Sequence, residues 1–337
     1  MDSEIKEKVE KNCNITNNIT ITNSNVKIGC CCGCSCNNDG NQEEIKMRVF
    51  KNQDELIREI EKLLPLTHEE LVIYETSIRF NSFGKLAEQV LLPITNDESF
   101  LENLTHEQTV ELVNANSEFL FIGRTAETDA DGESEEFVDM RHSTTIFRYV
   151  MNRDRMFQVE DTLYRIFENG FVTCNVRYFN ELVKLTDDDF LNLVDNDIFT
   201  VVRHFDTTRG NHGKKKEFEK TSGVEKVKVI LECYESDRRM INNQVTVKIA
   251  FAVTIKGFRR FIFWWPASRT LSHDISGAVS INNNAYYGSS KWSKTGYTDT
   301  GTMRIFNYSG NNNPSYFIHS ANGYGKTQHV TYNINLT

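Results

Sequence analysis

Five cysteines fall within seven residues, at Cys30, Cys31, Cys32, Cys34 and Cys36, while Cys13, Cys174 and Cys233 stand apart. Such a thiol density is the first candidate for chemistry, because zinc and other soft metals take sulfur ligands. A zinc finger needs a second Cys or His pair downstream, and that half is missing. Cys30, Cys32, Cys34 and Cys36 would serve as ligands only if thiolates from several chains met on one axis. The reading otherwise calls for no metal and no cofactor.

The other reactive types make weaker claims. His68 and His106 each lie in the first turn of an expected helix with no second histidine at helical spacing, so both read as solvated. His273-Asp274 and His319-Ser320 are mere neighbours in sequence, whereas a catalytic triad is assembled by folding. No serine carries the glycines of a nucleophile elbow. Beyond residue 275 the only acid is Asp299, which weakens a two-carboxylate glycosidase site there. Asp129, Asp131, Gly132, Glu133 and Glu135 echo a calcium loop but lack its bidentate glutamate, so 124–139 reads as a solvated acidic loop. Lys214-Lys215-Lys216 and Asp187-Asp188-Asp189 read as solvated loop charges. The expectation is a protein that is not an enzyme.

Binding chemistry is better represented. Seven of the 12 tyrosines lie at or after Tyr286, among runs of Asn, Ser and Gly. Tyr and Trp offer rigid amphipathic area, and Asn, Ser and Gly offer adaptable hydrogen bonding. Tyr286, Tyr287, Trp292, Tyr297, Asn312 and Tyr316 are therefore the expected binding residues, placed on loops at 286–292 and 311–316. β-Propensity alone would also place tyrosine on half-buried strand faces.

The elements that must position these residues follow from periodicity. Ile15, Ile19 and Ile21 share one parity; after Asn23-Ser24-Asn25 the phase flips, and Val26, Ile28, Cys30, Cys32, Cys34 and Cys36 share the other. Period-two alternation predicts extended strand with one apolar face. Read as a ribbon without a local partner, it predicts an N-terminal β-stalk wound from three chains. Asn52/Glu55, Thr67/Glu70 and Thr105/Gln108 are capping pairs that open three helices, the first with Leu56, Ile60, Leu63 and Leu64 as its stripe. Asn169-Gly170 between alternating runs predicts a hairpin. From residue 224 onward, short alternating runs joined by Asn/Gly/Ser turns predict an antiparallel β-sandwich. The segments are 1–44 stalk and docking segment, 45–123 helical, 124–139 acidic loop, 140–223 mixed with a hairpin, and 224–337 recognition sandwich. The fold class is α+β.

Val72-Ile73-Tyr74-Glu75-Thr76-Ser77-Ile78-Arg79-Phe80-Asn81-Ser82-Phe83, with Phe157 to Arg165 later, resembles a pattern in uncharacterised Bacteroidetes surface proteins. Those carry a Trp/Tyr-Glu-x-Ser-x-x-Phe-x-Ser-Phe helix and a Gly-Asp-Thr-Ile-Tyr hairpin; this chain lacks the Ile-Gly before Asp161. By extension the resemblance implies a fibre or appendage protein of crAss-like phages.

Composition bounds the rest. The chain has 337 residues, 39% of them hydrophobic, and a net charge of -9, which argues against a binder that works by broad phosphate neutralisation. No run nears the roughly 18 apolar residues that span a bilayer. The start, Met1-Asp2-Ser3-Glu4, is not a secretory signal. Together these readings predict a structural virion protein made in the host cytoplasm: a homotrimeric head or tail fibre whose first segment docks on other virion proteins. Its C-terminal domain is expected to bind a host surface glycan or protein, with no nucleic acid and no membrane insertion. A capsule depolymerase on the same scaffold and a bacterial cell-surface adhesin are the alternatives.

Overall fold

The computed structural model describes residues 19–22, 25–28, 47–128, 134–203, 214–241, 244–267, 269–281, 284–296, 298–302, 306–310, 316–326 and 331–336. The chain divides into two compact units, each discontinuous in sequence. Met1–Lys46, Leu86–Arg141 and Arg259–Pro266 make one; Met47–Lys85, His142–Phe258 and Ala267–Thr337 make the other.

Near the start, β1 (Ile19–Thr22) and β2 (Asn25–Ile28) pair antiparallel, with Ile19 opposite Ile28 and Ile21 opposite Val26. This overturns the extended stalk. Pairing across two intervening residues sets odd positions opposite even ones, so the apolar parity must flip between the arms. That flip, read as a phase change within one ribbon, marks a local hairpin. With β2 as a partner in the same chain, β1 has no need of strands from two other chains. Ile15, Cys30, Cys32, Cys34 and Cys36 lie outside the described residues.

The larger unit begins with β3 (Val49–Phe50), α1 (Gln53–Leu63) and α2 (His68–Ser77). Both helices start as the sequence predicts. Asn52 accepts from the Glu55 amide, Thr67 and Glu70 form a reciprocal capping box, and Leu56, Ile60 and Leu63 turn inward. The helix α3 (Phe83–Thr95) follows a clasp built from Glu75 and from Ser82, the second serine of the Tyr-Glu-x-Ser-x-x-Phe-x-Ser-Phe pattern. The fully buried Glu75 carboxylate accepts from the Ser82 amide at 2.8 Å and lies 3.6 Å from Lys85 Nζ. The Ser82 hydroxyl in turn accepts from the Lys85 amide at 3.1 Å, supplying the opening of α3 with a partner.

A five-stranded sheet runs β3, β6 (Met156–Val159), β7 (Thr162–Phe167), β8 (Gly170–Asn175), β9 (Thr200–Arg203). Its pairs are antiparallel except β3 with β6. Both faces are covered. Phe157 and Tyr164 stack at 4.8 Å on one, and Met156, Leu163, Phe167, Val172 and Phe190 cluster on the other. Gly170 closes the predicted β7–β8 hairpin at a point where an added Cβ would sit 2.0 Å from the Val202 carbonyl oxygen. The aspartate run is not a loop: it opens α7 (Asp187–Asn192), capped by Thr186, after the short α6 (Phe179–Leu182).

The same unit holds long antiparallel strands. The run β10 (Lys214–Ser222), β11 (Glu225–Ile241), β12 (Gln244–Arg260) continues with β16 (Thr298–Thr302) and β17 (Phe306–Gly310), which both pair with β12. A separate four-stranded sheet runs β15 (Asn284–Gly296), β14 (Arg269–Ile281), β18 (Tyr316–Lys326), β19 (Thr331–Leu336).

In the smaller unit, α4 (Glu98–Glu102) and α5 (His106–Ala115) accompany the hairpin β4 (Leu120–Thr128) and β5 (Ser134–Met140). Strand β13 (Trp264–Pro266) lies parallel to β5, Trp264 opposite Phe137. The expected acidic loop supplies strand partners here. Glu135 accepts from Trp264 Nε1 at 2.6 Å and pairs with Arg260 at 2.8 Å, while Glu136 holds His106 at 2.9 Å. The fold class expected from sequence is thus corrected. Parallel pairs at β3–β6 and β13–β5 make mixed sheets with a few short helices, in place of a stalk, a helical middle and an antiparallel sandwich.

Candidate functional site

The β10–β11 hairpin carries the densest set of buried charges among the described residues. Its apolar face is the predicted one, with Val227, Val229, Leu231 and Cys233 all buried. The opposite face holds Lys215, Glu217 and Glu219 on β10 and Lys226, Lys228 and Glu232 on β11. Register explains the pairing. Lys215 is opposite Glu232 and Glu219 is opposite Lys228. Lys228 bridges Glu217 at 2.7 Å and Glu219 at 3.2 Å, Lys215 holds Glu217 at 2.6 Å, and Lys226 lies 3.7 Å from Glu219. Cross-strand and diagonal neighbours of opposite sign are the arrangement that fixes one register over its slipped alternatives.

Electrostatics follow from that geometry. Burial would raise the Glu217 carboxyl, but the Lys215 and Lys228 ammoniums outweigh it and hold it at about 2. Burial alone would lower Lys228, yet Glu217 and Glu219 raise it above the ordinary lysine range. For Glu232 the balance reverses. Burial dominates, Lys215 at 3.9 Å offsets it only in part, Glu217 and Glu168 add to it, and the carboxyl is pushed up to about 7.

Beside this layer, Lys256 of β12 donates to the Ser143 hydroxyl at 2.7 Å. A lysine on a serine hydroxyl is one route to an activated nucleophile. Here both are enclosed, at 4% and 5% exposure, so the pair serves as an internal tie. The neighbouring His142 is also buried; its amide donates to Glu168 at 3.2 Å and its ring meets Phe83 edge-on at 5.2 Å. Sequence reasoning passed over Glu217, Lys228, Glu232 and His142. The available signal was the alternating charge in Lys-Lys-Lys-Glu-Phe-Glu-Lys beside Glu-Lys-Val-Lys-Val-Ile-Leu-Glu.

The expected binding residues lie elsewhere in the same unit. Tyr286, Tyr287 and Trp292 fall within strand β15, opposite Val279, Ala278 and His273 of β14, not on a loop. Tyr316 opens β18 opposite Ile281 at the same end of β14 as Tyr286. Tyr297 and Asn312 lie outside the described residues. Among the described residues no group of His, Cys, Asp and Glu is arranged to hold a metal ion, and no helix is long and apolar enough to cross a membrane.

No family model and no curated protein matches the chain. Among solved structures, it is similar to a DUF4848 family protein from Bacteroides thetaiotaomicron, with 12% identity over 88% of this chain and 98% of that one and a TM-score of 0.26.

Proposed function

We propose that the chain is a non-catalytic recognition component of a phage particle, binding a host envelope glycan or protein through its C-terminal four-stranded sheet. The observation that carries the proposal is the β14–β15 register, which strings Tyr286, Tyr287 and Trp292 along a single strand at the sheet's edge, with Tyr316 two strands away. That strand reads Asn-Ala-Tyr-Tyr-Gly-Ser-Ser-Lys-Trp-Ser-Lys-Thr-Gly, a mixture of aromatic area with hydroxyl and amide groups that suits sugar and protein surfaces. Its placement in a phage particle rests on the sequence resemblance, and docking to other particle proteins is assigned to residues 1–44.

The test is retention of the labelled full chain on envelope fragments of Bacteroidetes cells, beside the double variant Tyr286→Ala/Trp292→Ala. Loss of at least tenfold in affinity, with an unchanged melting curve, is expected. Equal retention of both proteins refutes the assignment.

A further inference from the structure

The four-stranded sheet ends on a long strand that is paired on one side alone among the described strands. In the order β15-β14-β18-β19, β15 pairs with β14 over all of its 13 residues, and no other described strand pairs with it. At about 3.4 Å per residue this leaves roughly 44 Å of backbone donors and acceptors along one edge. The strand has no proline, and Lys291 and Lys294 are the charges that an edge partner must accommodate.

The sequence of β15 selects its occupant. We propose that a second copy of this chain pairs with β15 antiparallel about a twofold axis at Ser290, joining two four-stranded sheets into one. An axis perpendicular to the sheet keeps each face with its like, so opposed positions must share parity. Centring on Ser290 is the register that uses the strand from Asn284 to Gly296. It sets Tyr286 opposite Lys294, Tyr287 opposite Ser293, Gly288 opposite Trp292 and Ser289 opposite Lys291 of the second copy. No charge then stands directly opposite its like, and the one tryptophan meets a glycine, a pairing that strands use to cover the bare glycine backbone. In-register parallel pairing would instead set Lys291 on Lys291 and Lys294 on Lys294. The twofold arrangement consumes the β15 edge of both copies, and the joined sheet is then bounded by β19 on either side.

Ser289 is the position that reads this register. Its neighbour within the chain is Ser276, so a charge there meets no charge directly across on β14. Ser289→Lys sets like charges opposite each other twice across the twofold axis, and Ser289→Glu sets opposite charges twice. The chain's net charge of -9 predicts the reverse order for any nonspecific association, since added negative charge would weaken it and added positive charge strengthen it.

Sedimentation velocity of the full chain in reducing buffer, up to about 100 µM, tests the proposal. The expected result is a monomer–dimer equilibrium whose dissociation constant rises about tenfold in Ser289→Lys and falls by a similar factor in Ser289→Glu, with circular dichroism melts confirming that both fold. A monomer throughout the range, a trimer, or shifts of the two variants in the same direction or in the reversed order overturns it. Because no envelope material is present, failure here leaves the recognition proposal to its own test.

Discussion

Replacing Glu232 by glutamine isolates a carboxyl whose burial costs the protein stability at neutral pH. Glu232 is 4% exposed, with Lys215 at 3.9 Å as its ion-pair partner, and burial pushes its pKa from 4.5 to about 7. The folded state therefore binds this proton more tightly than the unfolded chain does. The resulting penalty is fully present above pH 7 and disappears as the pH falls to 4.5. The gap corresponds to on the order of 3 kcal/mol, or about 5–10 °C in melting temperature for a unit of this size. Glu217 acts in the opposite sense at lower pH. Held at about 2, it lends stability above 4.5 that is lost as the pH falls toward 2. The wild type should thus melt highest near pH 5. Glu232→Gln, which mimics the neutral acid, should melt with the wild type at pH 5 and several degrees above it at pH 8. Calorimetric scans at both pH values measure this directly. Parallel profiles, or a variant less stable at pH 8, would refute the assignment of Glu232 as a desolvated acid.

Other perturbations follow from the same packing. Lys228→Met removes the ammonium that bridges Glu217 and Glu219, and should lower stability by about 3–5 kcal/mol in urea titrations at pH 7. Gly170→Ala drives a methyl group against the Val202 carbonyl oxygen where β8 meets β9, and should cost about 2–4 kcal/mol in the same assay. The Cys174 thiol is pushed up to about 12, by burial first and by Glu181 second. Peptide mapping after iodoacetamide at pH 8 should therefore find Cys174 unmodified in the native protein and alkylated in urea.

Local signals carried the parts of the fold whose causes are local. The capping pairs at Asn52, Thr67 and Thr105 start helices because the side chain that satisfies the first free amides lies within three residues. Asn169-Gly170 likewise sits where the β7–β8 hairpin turns. The flip at 23–25 was also visible, but its meaning depended on choosing between a long ribbon and a hairpin, and alternation is identical in both. Nonlocal facts were not legible. The parallel pairing of Trp264 with Phe137 joins segments more than 120 residues apart, and nothing in either segment announces the other. Lys226, Lys228 and Glu232 look like the solvated face of an amphipathic strand, because a sequence shows which face is polar and not whether that face is covered. The same limit placed Tyr286 to Trp292 on a loop: Asn, Gly and Ser around them signal turns, yet β14 supplies a strand partner for each.

The central claim is that the chain grips an envelope surface without cutting it. Biosensor traces of the full chain over immobilised Bacteroidetes envelope fragments, which present both glycan and protein, test both halves at once. The account predicts saturable binding that washes off to leave the layer mass unchanged. Progressive loss of layer mass during contact would mark a depolymerase, and a flat trace at every concentration would contradict recognition altogether.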